Sequence, residues 1–317
     1  MTKIIEDKLE KIPVINFFVK FLKQIKLPGL EGLSLYDLLE LYVIGVAKGA
    51  LTTRASAIAF SFFTAIFPFL LFVLILIPYI PIENFQADFL SFLESFLPPQ
   101  TSEFFFKNIF ENISESNSQG GLISSVFLLS ILLMANGVSA VFSGFESSYH
   151  QQLTRSVFKQ YMFALGVALI LALLLILTVA VFGYFEIYVI DNLFDRLQEK
   201  GIAEKGANVF WVVLAKYMFF VLMVYIATAT LYYFGTKEGR NSRFFSVGAL
   251  LTTLLIILTS YLFGLYIENF SKYNELYGSI GALLILLLYL WLNSNILLLG
   301  YELNATLRGL RKLNIKP

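Results

Sequence analysis

The stretch from Tyr277 to Asn304 constrains the fold of this chain most strongly. It reads YGSIGALLILLLYLWLNSNILLLGYELN, which is 28 residues with few charges. At ~1.5 Å per residue, a helix of this length is longer than the ~30 Å hydrocarbon core of a bilayer. We therefore predict a helix that crosses a membrane.

Polar side chains fall on two faces of this predicted helix when ~100° of rotation is assigned to each residue. One face holds Tyr289, Asn293, Gly300 and Asn304, and the opposite face holds Asn295 and Glu302. An unpaired amide or carboxylate is costly in hydrocarbon, so both faces should contact protein or a water-filled cavity. Two interpretations stay open: these groups line a polar path, or they hydrogen-bond neighbouring helices.

The composition extends the membrane prediction to the whole chain. Of 317 residues, 58% are hydrophobic, and the mean hydropathy is +0.75. A soluble domain with an ordinary polar surface is excluded by these values. Without cysteine, disulfides and cysteine-based metal sites are excluded as well. We predict an all-α polytopic membrane protein.

Apolar runs of sufficient length predict six spans, which together form a membrane domain over residues 55–305. The predicted spans cover about residues 55–80, 122–145, 161–185, 208–234, 244–267 and 277–304. In the first span, Pro68 should free the carbonyl of Thr64 and kink the helix, with Ser61 or Thr64 helping to satisfy the backbone. In the second, Asn136 shares a face with serines, beside a stripe of Ser130, Gly137 and Gly144 that allows close helix approach.

Amphipathic segments flank the predicted spans. Residues 1–54 predict a cytoplasmic segment in two parts: a basic stretch broken near Pro13, and a stretch from Ser34 to Leu51 whose cap is Ser34, three residues before Asp37. Residues 81–121 predict an outer loop of two short amphipathic helices. Residues 306–317 form a basic cytoplasmic tail.

The distribution of charge gives the orientation. The N-terminal segment, the loop after span two, the turn after span four and the C-terminal tail together hold 17 of the 23 lysines and arginines. The loops on the other side hold 13 of the 22 acids. By the positive-inside rule, both termini are cytoplasmic, as six spans require.

Residues suited to catalysis are scarce. His150 is the only histidine, and the chain has no metalloprotease, nucleophile-elbow or Walker motif. We expect no enzyme activity, no cofactor or metal, and no nucleic-acid partner, because topology already accounts for the basic residues. Lys216 lies inside span four, where it either reaches the interface or pairs with a buried acid. The candidate polar-path or helix-contact residues are Ser61, Thr64, Pro68, Asn136, Lys216, Tyr289, Asn293, Asn295, Glu302 and Asn304.

Two segments resemble a known family. Leu262 to Ala305 contains Y-G-S-x-G before the last helix and L-G-x-E-L-N-A at its end, and it closely resembles the C-terminal signature of the YihY/virulence factor BrkB family. Ala57 to Leu70, AIAFSFFTAIFPFL, is similar to the family's first-helix pattern. Two departures stand out: Phe60 and Ser61 replace a tyrosine pair, and Asn293 and Asn295 replace small or apolar residues.

The resemblance implies a six-helix protein of the bacterial cytoplasmic membrane, once labelled ribonuclease BN. We expect a protein that transports or handles a lipid or another amphiphilic cell-envelope molecule, with membrane lipids as partners and a homo-oligomeric state. A non-enzymatic scaffold that holds envelope partners through the outer loop is one alternative. A small-solute or ion permease that depends on Lys216 and Glu302 is another.

Overall fold

The computed structural model describes residues 13–25, 34–37, 39–40, 50–76, 120–146, 155–184, 207–269 and 279–314. Within these ranges the regular structure is helical, with one short 3₁₀ helix, Gly239–Asn241. The seven α-helices are α1 (Pro13–Gln24), α2 (Ala50–Leu76), α3 (Gly120–Glu146), α4 (Val157–Tyr184), α5 (Ala207–Gly235), α6 (Val247–Asn269) and α7 (Ser279–Asn314).

Helices α2 to α6 lie close to the first five predicted spans, and α7 begins near the start of the sixth. Five of them are long and apolar enough to cross a membrane over residues that the structure describes. In α2 the corresponding apolar stretch, Leu51–Ile66, is shorter. The protein is therefore an all-helical membrane protein across its described ranges. The predicted outer helices of residues 81–121 lie outside them, apart from the first residues of α3.

The six long helices form a ring. Each packs on the next in chain order, and α7 packs back on α2. Helix α3 also contacts α5 and α7, so it lies closest to the interior. Close approach of α3 and α2 depends on glycine: a Cβ at Gly137 would lie 3.1 Å from the Cβ of Ala65, and one at Gly144 would lie 2.7 Å from Ile58. The small-residue stripe predicted on this helix thus faces α2.

Packing is tightest at one end of the ring, which we call the basic end because Arg54, Arg155, Arg240 and Arg308 lie there. The fully buried side chains, which include Ile58, Phe142 and Tyr301, belong to this end. Toward the opposite end, the described side chains of residues 214–227, 254–266 and 283–293 are all half-buried or exposed. In α5 to α7 the packing is therefore looser away from the basic end, whereas α3 has buried side chains as far back as Ser130.

Helix α7 differs from the prediction at its C-terminal end. It continues ten residues past 304, through most of the predicted tail, to Asn314. The physical reason is an apolar contact outside the span, where Leu303 and Leu307 are buried against Leu35 and the start of α6. The second amphipathic segment therefore packs under the bundle. Its predicted cap also forms, since Ser34 Oγ accepts a hydrogen bond from the backbone nitrogen of Asp37 at 3.3 Å.

Candidate functional site

One polar face of α7 contacts α6. The hydroxyl of Tyr289 lies 2.7 Å from that of Ser260. Directly before the C-terminal extension of α7, Asn304 accepts a hydrogen bond from the backbone nitrogen of Gly248 at 2.9 Å and donates one to Ser246 Oγ at 2.9 Å. Asn304 is thus a direct link between two helices, which is the helix-contact role for a polar group in a membrane.

Gly300 lies on the same face and lets the two helix backbones meet. A Cβ at this position would lie 2.7 Å from the carbonyl oxygen of Gly248 and 2.6 Å from the hydroxyl of Tyr232. It would lie closer still to Thr252 Oγ1. That threonine hydroxyl is 2.5 Å from Tyr232 Oη, which also donates to the carbonyl of Leu297 at 2.7 Å. The interface between α6 and α7 therefore has no room for a side chain at residue 300.

Two asparagines in the middle of α7 bond within their own helix. Asn293 donates to the carbonyl of Tyr289 at 2.8 Å, and Asn295 donates to that of Trp291 at 2.7 Å. Asn295 is buried and Asn293 is half-buried. The carbonyl oxygen of the Asn293 side chain is buried without a hydrogen-bond partner. Both amides are accommodated largely by backbone carbonyls one turn away.

Glu302, on the opposite face of α7, forms an ion pair with Arg54 of α2 at 2.9 Å. The same guanidinium donates to the carbonyl of Gly144 on α3, also at 2.9 Å. One arginine thus ties three helices together at the basic end. The sequence identified Glu302 but not Arg54, because 248 positions separate the partners.

The remaining sequence-predicted residues do not come together with this network. In α2, Ser61 donates to the carbonyl of Ala57 and Thr64 donates to that of Ser61, both within the turn before Pro68. Neither hydroxyl is therefore available to the carbonyl of Thr64. Asn136 is exposed on α3, and Lys216 is half-buried on α5.

An aromatic plug, formed by Phe145, Tyr232 and Tyr301, fills the interior at the basic end. Phe145 stacks on Tyr301 with ring centroids 4.3 Å apart and meets Tyr232 edge-on at 5.5 Å. Tyr301 is fully buried and donates to Thr236 Oγ1 at 3.0 Å. The two tyrosine hydroxyls are satisfied, so the plug combines apolar burial with fixed orientation.

A group of charged residues surrounds the plug on its basic side. Glu146, the last residue of α3, is 2% exposed, and among the described residues neither of its carboxylate oxygens has a hydrogen-bond partner. Arg155 donates to the carbonyl of Phe234 at 2.7 Å, while its Nη2 is buried and finds no partner in the same part of the chain. Burial and then the charge of Arg240 lower the pKa of Arg155. The guanidinium groups of Arg155 and Arg240 lie over the ring of Phe163, at 4.7 and 4.0 Å from its centroid, respectively.

The sequence prediction missed this group because the second span was ended at residue 145. The signal that was present is an acid directly after an apolar run, nine residues before an arginine. A buried acid at the end of a span, as Glu146 is, becomes a functional candidate because a charge kept from water is costly.

A cavity of about 200 Å³ lies between α2, α3 and α4. Every lining side chain is hydrocarbon or thioether. The lining residues are Phe62, Ala65, Ile66, Phe69, Met134, Val138, Ala168 and Leu171. An apolar cavity stays dry and accepts apolar groups, and about 150 Å³ is enough for benzene. The described residues contain no group of three or more metal-ligating side chains.

The family model described as Virulence factor BrkB matches residues 45–316, which include the whole ring of helices. The chain belongs to this family. The match covers both segments whose motifs resembled it, the start of α2 and the full length of α7. Residues 60, 61, 293 and 295, where the chain departs from the expected pattern, lie inside the matched range.

Relatives in this family include the ribonuclease-like protein YfkH of Bacillus subtilis, which is 28% identical over 268 residues, 82% of this chain and 91% of YfkH. A UPF0761 membrane protein of Xanthomonas oryzae is 39% identical over 64 residues, 20% of this chain. That match spans only 15% of the Xanthomonas protein. No solved structure matches the chain.

Proposed function

We propose that this BrkB-family protein binds a lipid or a similar amphiphile of the cell envelope and moves it across the bacterial cytoplasmic membrane. In this proposal all six helices of the ring span the bilayer, with both termini and the basic end on the cytoplasmic side. The concentration of arginine at one end of the ring supports that orientation.

The apolar cavity between α2, α3 and α4 is the observation that supports lipid handling. Its volume of about 200 Å³ is below the 300–1,000 Å³ typical of pockets that enclose a whole small molecule. It fits part of a flexible apolar ligand, such as a segment of an acyl chain. A polar solute gains nothing from such a lining, because its polar groups would lose water without new hydrogen bonds.

Reconstitution into liposomes that contain a fluorescent phospholipid tests the proposal. We expect faster exchange of the labelled lipid between leaflets than in protein-free liposomes. Replacement of Ala168 by Phe should reduce this exchange, because residue 168 lines the cavity and is buried. Gly166→Leu is the matched control on the same helix, since a Cβ there has no other atom within 4 Å.

Two results would count against the proposal in different ways. Equal exchange with and without protein would reject lipid movement altogether. Equal exchange in the wild type and in Ala168→Phe would keep lipid movement but remove the cavity from it.

The permease alternative requires Glu302 to take part in solute passage. The 2.9 Å ion pair with Arg54 favours instead a structural role for this carboxylate. The scaffold alternative depends on residues 81–121, of which the structure describes only the start of α3. We also propose that the chain has no nuclease activity, and purified protein incubated with RNA tests that directly.

A further inference from the structure

Glu146 combines deep burial with an incomplete set of partners. It is 2% exposed, and neither of its carboxylate oxygens forms a hydrogen bond with a residue that the structure describes. A carboxylate that is buried without a partner loses the hydration of its charge and gains nothing in return. In the described part of the chain, four buried side-chain atoms have no hydrogen-bond partner, and two of them belong to this one residue.

Two charged residues act on the Glu146 carboxylate. Arg155 and Glu238 are the charged residues that act on it most strongly. Arg155 does not form a direct hydrogen bond with Glu146, and its own Nη2 is buried without a partner among the described residues. The guanidinium therefore acts on the carboxylate through its charge. Addition of a proton to Glu146 would remove the buried negative charge without requiring space for a larger ligand.

Each element packed near Glu146 contributes titratable or charged groups at the basic end. They are Arg54 of α2, Arg155 and Lys159 at the start of α4, Tyr232 of α5, Glu238 and Arg240 in the following turn, and Tyr301, Glu302 and Arg308 of α7. Arg54 and Glu302 are already paired with each other. Arg155 is held by the carbonyl of Phe234. Glu146 is therefore the buried acid of this end that has no fixed partner among the described residues.

We propose that Glu146 is a proton-binding site, and that its protonation loosens the contact between the end of α3 and the start of α4. The carboxylate attracts the Arg155 side chain toward α3. Once the carboxyl group is neutral, that attraction is lost, while the bond to the Phe234 carbonyl and the contact with the Phe163 ring remain. Glu146 directly follows Phe145 of the aromatic plug, so the proton would bind beside the plug.

This inference deepens the proposed function, since it names the ion whose binding would accompany lipid movement. Its test does not require transport. Purified full-length protein in lipid nanodiscs is compared by infrared difference spectroscopy between about pH 8 and about pH 5. We expect a carbonyl band from a protonated carboxylic acid in the wild type, and loss of that band in Glu146→Gln. Glu146→Asp should shift the band rather than abolish it.

Glu302→Gln is the matched control, because it removes a second glutamate at the same end that already has an arginine partner. The Glu146 band should persist in that variant. Persistence of the band in Glu146→Gln, or its absence from the wild type, would overturn the inference. An intact band together with no lipid exchange in liposomes would reject the proposed function and leave the proton site standing.

Discussion

Gly300→Ala is the substitution for which the structure gives the sharpest expectation. The added methyl group would meet three atoms of two other helices: the carbonyl oxygen of Gly248, the hydroxyl of Tyr232 and that of Thr252. Two of these contacts are to side-chain hydroxyls that already bond to each other. The third is to backbone, which does not rotate away. Helix α6 must therefore move away from α7, or the tyrosine must leave its site.

Two costs set the size of the change in the free energy of unfolding: overpacking and the loss of hydrogen bonds. Overpacking of a well-packed interior costs about 1–3 kcal/mol. Loss of a buried hydrogen bond adds about 1 kcal/mol, and Tyr232 makes two, to Thr252 and to the Leu297 carbonyl. We expect Gly300→Ala to lower the free energy of unfolding by about 3 kcal/mol, which is roughly a hundredfold in the folded-to-unfolded ratio.

Equilibrium unfolding in mixed detergent micelles measures this change. Gly264→Ala in α6 is the matched control, because a Cβ at residue 264 has no other atom within 4 Å. That variant should be neutral or slightly more stable, since alanine favours helix by up to about 1 kcal/mol over glycine. If the two variants unfold alike, the close contact of α6 and α7 at Gly300 is refuted.

Three further sets of variants test other contacts and the orientation. Arg54→Gln and Glu302→Gln should each lower the free energy of unfolding by about 1–3 kcal/mol. The double variant should lose less than the sum of the two, because both substitutions remove the same ion pair. Additive losses in a double-mutant cycle would contradict this. Asn304→Ala should lower the free energy of unfolding by about 1–3 kcal/mol, because it removes two hydrogen bonds at the interface with α6. Asn295→Ala removes one hydrogen bond within α7 and should have a smaller effect. The same unfolding curves give the order of the two variants. Asn241→Cys, in a chain without cysteine, should react with a membrane-impermeant thiol reagent only from the cytoplasmic side; labelling from outside would reverse the orientation.

The helices of the ring were predictable because a bilayer imposes a minimum length on any apolar segment that crosses it. Local signals also worked where both partners are close in sequence, as at Ser34 and Asp37. The sequence further indicated that Asn304 lies on a protein-facing side of α7. That inference needed only the rotation per residue and the cost of an unpaired amide.

The partners of polar groups were not predictable in the same way. Periodicity shows which side chains share a face, but it does not show which helix that face meets. The pairing of Glu302 with Arg54 depends on α7 returning to α2, which only the closed ring reveals. Glu146 was missed for a related reason, since an acid at the end of an apolar run is ordinarily solvated and its burial depends on distant parts of the chain.

The order of contacts around the ring has a consequence for biogenesis. Five of the six main contacts between neighbours join consecutive helices, and the sixth joins the first to the last. As the chain emerges from the ribosome, each new hairpin can pack on its predecessor, whereas α2 must wait for α7 to be inserted. Until then the Glu302 carboxylate is not available to Arg54, and the surface of α2 that packs on α7 stays accessible to chaperones or insertase subunits. A nascent chain halted before residue 279 should therefore be a substrate for membrane quality control.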